Sequence, residues 1–207
     1  MRNSRGILIV FEGTDGTGKS TQLALLADYL QSRNYPVVTT REPTTGPYGQ
    51  KIRDLYVKRD TCSPSEELEL FLADRKEHVD TLINPSLAEG KIVLCDRYFL
   101  STVAYQGALG FDVEELLSRN SFATPPDIAL LFYIPLETAL QRITVGRGDM
   151  LNDFEKSENL SKVAAIFDSL SENYIKRINA EGSIQQVHLT VLSLVLPLIP
   201  DSLKLQA

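Results

Sequence analysis

At 207 residues, with 43% hydrophobic and 23% charged side chains, the chain has the size and composition of one globular domain, 1–207, able to bury a full core. A net charge of −6 excludes a broad basic face for nucleic acid, and two cysteines and two histidines without metal-ligand spacing exclude a structural zinc site. Such sparse cysteine usage suits a reducing, cytoplasmic compartment.

The N-terminal MRNSRG precedes an apolar run of only five residues, too short for a signal peptide. That run, Ile7–Phe11, reads as a buried strand. Residues 21–33 follow as a helix with Leu23, Leu26 and Leu30 on one face. Pro36–Thr40 predicts a second strand. Ser63-Pro64-Ser65-Glu66 is a helix start, with a Ser cap, Pro at the first position and Glu at the third; the helix should run to about Leu82. Lys91–Cys95 and Ile128–Ile134 are further strands, Leu136–Val145 and Leu160–Asn173 further helices, and Tyr174–Ala180 a weaker fifth strand. The C-terminal VHLTVLSLVLPLIP is interrupted by Thr190, Ser193 and Pro197, so it reads as a buried terminal helix or a subunit contact, not a membrane anchor. Strands alternating with helices predict a three-layer α/β/α fold around a mostly parallel five-stranded sheet, with ligands at the carboxyl ends of the strands.

Residues 13–20 read G-T-D-G-T-G-K-S, directly after a strand and directly before a helix. This is the context a P-loop requires. Backbone N–H groups of Gly13, Thr14, Asp15, Gly16, Thr17 and Gly18 converge on phosphate oxygens, beside the positive end of the helix that Thr21 continues. Lys19 reaches the β- and γ-phosphates, and the Ser20 hydroxyl binds Mg²⁺. A dinucleotide fingerprint fails, because Thr21 stands where a third Gly is needed. A switch GTPase lacks support too, since no Asn-Lys pair for guanine occurs.

Asp96-Arg97-Tyr98 closes the third strand. Asp96 can hold Mg²⁺, and Arg97 can grip a second anion with two parallel hydrogen bonds. Arg41 ends the second strand in the same way. Two arginines besides Lys19 point to two phosphate groups, hence to an acceptor that is itself phosphorylated.

With these motifs in order, the chain resembles the thymidylate kinase family of P-loop nucleoside monophosphate kinases. The resemblance spans Phe11-Glu12-Gly13 with the loop through Gln22, Thr40-Arg41-Glu42-Pro43, Leu70-Phe71-Leu72 with Arg75, Asp96-Arg97-Tyr98, Ser101 to Gly107, and Arg142-Ile143 leading to Phe154-Glu155. It implies transfer of the γ-phosphoryl group of MgATP to dTMP, with a kinase of another monophosphate such as dUMP as the alternative. Phe71 is similar to the ring that stacks on thymine and Arg75 to the donor at its O4 edge. Arg41 and Arg97 resemble the grips on the acceptor phosphate. Thr102, Tyr105 and Gln106 match the segment lining the deoxynucleoside pocket, with Tyr105 near where a 2′-hydroxyl would fall. Asp15 resembles the acceptor of the 3′-hydroxyl bond. A homodimer is expected by the same resemblance.

The acceptor phosphate is already ionised at neutral pH, its second pKa being about 6, so no strong base is needed and Asp96 serves the metal and water. A cation must still cover the transferring group. In the family that the chain resembles this cation sits either in the loop or in a lid; the loop has Gly16 after Asp15, so the resemblance implies a lid at about 142–155, with Arg147 first and Arg142 second, beside ATP. Gly146 and Gly148 flank Arg147 and favour a lid that closes. Three places depart from the family pattern: Thr44-Thr45 for Gly-Gly, Asn152-Asp153 for Asp-Arg, and Asn179 for Asp near the donor base.

Overall fold

Both faces of the central strands are apolar, and that decides the layering. β1 (Ile7–Gly13) is buried along its whole length. Leu8 and Val10 join Val93, Cys95, Ala129 and Leu131 on one face, while Ile7, Ile9 and Phe11 join Ile92, Leu94, Ile128 and Leu130 on the other. A sheet apolar on both faces needs a helical layer over each. The computed structural model, which describes residues 5–56, 62–147 and 157–205 (side chains at 145–147 and 157–158 excepted), has both layers.

The remaining strands are β2 (Val37–Arg41), β3 (Ile92–Asp96), β4 (Ile128–Tyr133) and β5 (Ile175–Asn179), in the order β2-β3-β1-β4-β5. Every pairing is parallel, so the expected mostly parallel sheet is parallel throughout and its fifth strand is present. On one face α1 (Lys19–Gln31) packs Leu26 and Leu30 beside Val187, Val191 and Val195 of the last helix. On the other face lie Leu68, Val103, Val163 and Phe167 of three further helices. The C-terminal apolar tail is therefore a buried helix, with Val187, Val191 and Val195 on its inner stripe. Among the described residues no helix is long and apolar enough to cross a membrane.

α2 (Pro47–Leu55) follows β2, and α3 (Pro64–His78) opens at Ser63 with the expected capping box. It does not simply stop near Leu82. A π-helical turn, Val79–Ile83, leads into the short α4 (Asn84–Ala88). Pro85 lacks the N–H that an unbroken helix would use, and the wider turn absorbs it. α5 (Phe99–Ala108) and α6 (Val113–Arg119) precede β4. α7 (Leu136–Arg147) runs two residues past the expected end at Val145, so the first part of the predicted lid, 142–147, is helical. The rest of that lid, including Asn152, Asp153, Phe154 and Glu155, lies outside the described residues.

α8 (Ser157–Ser169) ends four residues before the expected Asn173. Arg177 explains the stop: its Nη2 donates to the carbonyls of Phe167, Asp168 and Leu170 at 3.4, 3.0 and 2.8 Å. Carbonyls in the last turn lack the i+4 amide of a continuing helix, and Arg177 satisfies them beside the 3.4 Å bond from Leu170 N to the Phe167 carbonyl. α9 (Ile184–Val195) is followed by two short 3-10 turns, Leu196–Leu198 and Asp201–Leu203.

Candidate active site

The carboxyl ends of β2, β3 and β1 lie side by side, because β3 pairs with both others. Register places Arg41 beside Asp96 and Phe11 beside Asp96. The three strands thus deliver Arg41, Asp96 with Arg97, and the loop after Gly13 to one edge.

The loop has the backbone of a phosphate cradle. Gly16 and Gly18 both take positive φ, +80° and +89°. At Gly16 a Cβ would also come within 2.7 Å of the Ala139 carbonyl oxygen, whereas a Cβ at Gly18 would meet nothing within 4 Å. One glycine is required by close packing, the other faces open space at the start of α1. Lys19 is buried and folds back on the loop, its Nζ donating to the Thr14 carbonyl at 2.7 Å and to Thr17 Oγ1 at 3.4 Å. Burial, aided by the Arg97 charge, pushes its ammonium down to about 8. Thr17 Oγ1 donates to the same Thr14 carbonyl. Thr21 is exposed along the loop's outer wall.

Ser20 Oγ donates to Asp96 Oδ2 at 2.5 Å. A hydroxyl and a carboxylate at one point are hard oxygen donors, and among the described residues no three or more His, Cys, Asp or Glu are grouped so as to hold a metal ion. That donor set fits Mg²⁺, which binds through one or two carboxylates plus substrate phosphates and keeps its waters. It does not fit a metal caged by protein.

Arg97 sits at φ +69°, a left-handed backbone that a non-glycine residue adopts at some cost. Its side chain is pinned on several sides. Nη1 donates to the Gly13 carbonyl at 3.2 Å and Ser101 Oγ at 3.0 Å, and Nη2 to Asp15 Oδ1 at 2.9 Å and Tyr105 Oη at 3.3 Å. Tyr105 Oη in turn donates to Asp15 Oδ2 at 3.4 Å. Asp15, Arg97 and Tyr105 therefore form one hydrogen-bonded cluster.

Two cavities flank that cluster. One of about 200 Å³ is lined by the phosphate loop, Lys19, Ser20, Thr21 and Asp96. The other, of about 340 Å³, is lined by Phe71, Arg75, Thr102, Tyr105 and Gln106, with Arg53 and Tyr56 at its rim. Asp15, Arg41, Glu42 and Arg97 line both.

Arg75 is more deeply engaged than a base contact needs. It is 1% exposed and donates from Nε and Nη2 to Glu42 Oε2 at 2.9 and 2.6 Å, from Nη1 to Asn120 Oδ1 at 2.6 Å, and from Nη2 to Thr102 Oγ1 at 2.9 Å. Those bonds use four of its five N–H groups and leave one on Nη1. Glu42 is shared with His78, whose Nδ1 lies 3.0 Å from Oε1 while its Nε2 meets Thr40 Oγ1 at 2.7 Å. Gln106 Nε2 donates to Glu67 Oε2 at 3.3 Å, and Gln106 Oε1 is buried with no hydrogen-bond partner among the described residues.

Several functional residues had no assigned role in the sequence. Glu12 is fully buried, accepting from Tyr98 N at 2.9 Å, Ser101 N at 3.3 Å and the Ser101 hydroxyl. Burial pushes its carboxyl up to about 7. Strand alternation could have found it, since Glu12 shares a face with Leu8 and Val10. Asn120 and Glu67 carry no local signal at all. Of the departures, Thr44 binds Asp74 through N and Oγ1, at 2.8 and 2.6 Å, and its carbonyl accepts from Arg53 Nη1 at 2.5 Å. Asn179 braces its own turn, donating to Glu181 Oε2 at 3.3 Å and accepting from Glu181 N at 3.0 Å. Arg142 Nη1 donates to the Ala180 carbonyl at 3.1 Å, next to that turn. Only the backbone of Arg147, ending α7, is described; its side chain lies outside the described residues.

A parallel α/β sheet, a P-loop motif after its central strand and arginines at the neighbouring strand ends together define the α/β fold of P-loop phosphotransferases. The family model described as thymidylate kinase matches residues 11–191. A thymidylate kinase of Desulfotalea psychrophila is 60% identical over 199 residues, covering 96% of this chain and 98% of the relative. A probable thymidylate kinase of Pyrococcus horikoshii is 42% identical over 199 residues, covering 92% and 96%. One from Xanthomonas euvesicatoria is 49% identical over 165 residues, covering 80% and 72%. The chain belongs to the thymidylate kinase family.

Proposed function

We infer that the protein, with residues 1–207 as a single kinase domain, transfers the γ-phosphoryl group of MgATP to dTMP, giving dTDP and ADP. The observation that carries this reading is the pair of adjoining cavities with Arg97, Arg41, Asp15 and Glu42 in both walls. A nucleotide binder that only signals needs one phosphate site; a kinase acting on a phosphorylated acceptor needs two that meet.

Roles follow from position. The loop 13–18, Lys19 and Thr21 hold the donor phosphates, and Arg142 lies beside the donor base. Ser20 and Asp96 would hold Mg²⁺, which would supply charge neutralisation on the donor phosphates. Arg97 and Arg41 orient the acceptor phosphate for in-line attack, so that catalysis is mainly positioning and charge neutralisation. Asp15 accepts from the 3′-hydroxyl, and Tyr105 stands where a 2′-hydroxyl would clash. Arg147 supplies the lid cation.

Phe71 stacks on the base, at i−4 from Arg75 on one face of α3. The free Arg75 N–H meets O4, and the unpaired Gln106 Oε1 accepts from N3–H. That donor–acceptor pattern suits thymine and opposes cytosine. The names of the relatives favour dTMP over dUMP. A homodimer and a cytoplasmic setting complete the proposal, the latter in keeping with two free cysteines.

A coupled ADP-release assay across nucleoside monophosphates, with ATP and Mg²⁺, tests the reading. dTMP should be the best acceptor. A higher kcat/KM for any other monophosphate overturns the substrate assignment.

A further inference from the structure

Two helices meet across the acceptor cavity through two polar rungs. Glu67, Phe71 and Arg75 are spaced at i, i+4 and i+8, one face of α3. Thr102 and Gln106 are spaced at i and i+4 on α5. Arg75 donates to Thr102 at one rung, and Gln106 donates to Glu67 at the other. Phe71 lies between the rungs on α3 and lines the cavity with Arg75 and Gln106.

The second rung fixes a choice that Gln106 cannot make alone. A glutamine amide presents a donor at one corner and an acceptor at the other, and its packing shape is nearly the same either way round. Glu67 is a buried residue whose carboxylate only accepts. It therefore holds the amide NH₂ on its own side and leaves Oε1 as the corner without a partner, in a side chain that is itself fully buried. An unpaired buried acceptor is costly until a ligand N–H reaches it. Turned the other way, the amide would set its NH₂ against a base N–H and its oxygen against the Glu67 carboxylate.

We propose that Glu67 is a positioning residue for base selection: by locking the Gln106 amide, it makes the cavity wall accept a pyrimidine that carries an N3–H. This rests on the dTMP reading above and adds the residue that sets its polarity. Glu67 touches no substrate; it acts through Gln106.

Glu67→Gln keeps the shape but lets residue 67 donate as well as accept, so the Gln106 amide is no longer held in one sense. The test compares kcat/KM for dTMP with that for 3-deazathymidine monophosphate, which has C–H in place of N3–H. In the variant, kcat/KM for dTMP should fall about tenfold, through KM, while the value for the deaza analogue stays within about twofold. Glu67→Asp, which keeps an acceptor-only partner, should retain most of the wild-type preference. Where Glu67→Gln does not accumulate as folded protein, Glu67→Ala serves for the same ratio. A loosened pocket would lower both substrates alike. An unchanged dTMP-to-analogue ratio in a folded Glu67→Gln or Glu67→Ala protein overturns the inference alone. A wild type that does not phosphorylate dTMP overturns the functional reading and the inference with it.

Discussion

Glu12 gives the structure a pH dependence whose sign and size can be worked out. Its carboxyl has an ordinary pKa of 4.5 and is raised to about 7 in the folded protein, burial being the main cause and the Ser101 hydrogen bonds opposing it. Between those values the folded state holds a proton that the unfolded chain has released. The contribution of Glu12 to stability is therefore full below about pH 4.5 and is lost as pH rises through 7. At about 1.4 kcal/mol per pH unit, the interval amounts to about 3 kcal/mol. That is a large fraction of a domain stability of roughly 5–15 kcal/mol. Glu12→Gln cannot ionise. Its amide oxygen can still accept from the Tyr98 and Ser101 N–H groups, and its NH₂ can donate to Ser101 Oγ. Urea unfolding of both proteins between pH 4.5 and 8 isolates the effect, because every other titrating group is common to them. The wild type should lose about 3 kcal/mol relative to the variant over that range. A difference that stays flat within about 1 kcal/mol would refute the assignment of a buried, neutral Glu12.

Three further outcomes follow from the same site. Arg75→Met strands the Glu42 carboxylate in the interior, a change that costs about 3–5 kcal/mol, so the thermal midpoint should drop by roughly 10 °C. Pairing it with Glu42→Gln should recover part of that loss, and a drop of under about 2 °C in the single variant contradicts the buried ion pair. Lys19, pushed down to about 8, loses its charge as pH rises through that value. In steady-state kinetics kcat/KM for ATP should decline there in the wild type, while Lys19→Met should be lower by about 10² or more and flat across the same range. Arg147→Ala should lower turnover by on the order of 10³, by analogy with arginine fingers, and a near-normal kcat removes Arg147 from the mechanism.

The centre of the sheet was legible because β1, β3 and β4 are short apolar runs and both faces of β1 demand cover, whereas β5, Ile-Lys-Arg-Ile-Asn, gave the weaker signal. The phosphate loop was legible because its glycines, Lys19 and Ser20 are contiguous. Partners from distant segments were not. Arg75 stands out in the sequence, but the partners that hold its guanidinium, Glu42, 33 residues away, and Asn120, 45 residues away, do not. Nothing local to Asn120 marks it as a partner. α5 escaped for the opposite reason: seven of its residues are buried, so no apolar stripe stands out against a polar face. The end of α8 is set by Arg177, a tertiary contact that no propensity encodes.

Asp96 and Arg97 are neighbours in sequence, yet their side chains turn to different partners. Asp96 meets Ser20 beside the phosphate loop, and Arg97, through its left-handed backbone, meets Asp15 and Tyr105. In the proposed reaction the single peptide unit between them would set the distance between the donor grip and the acceptor grip, so the spacing would be fixed by the main chain at the end of β3. A change in the pocket around Phe71 would then alter which base is read without altering that distance.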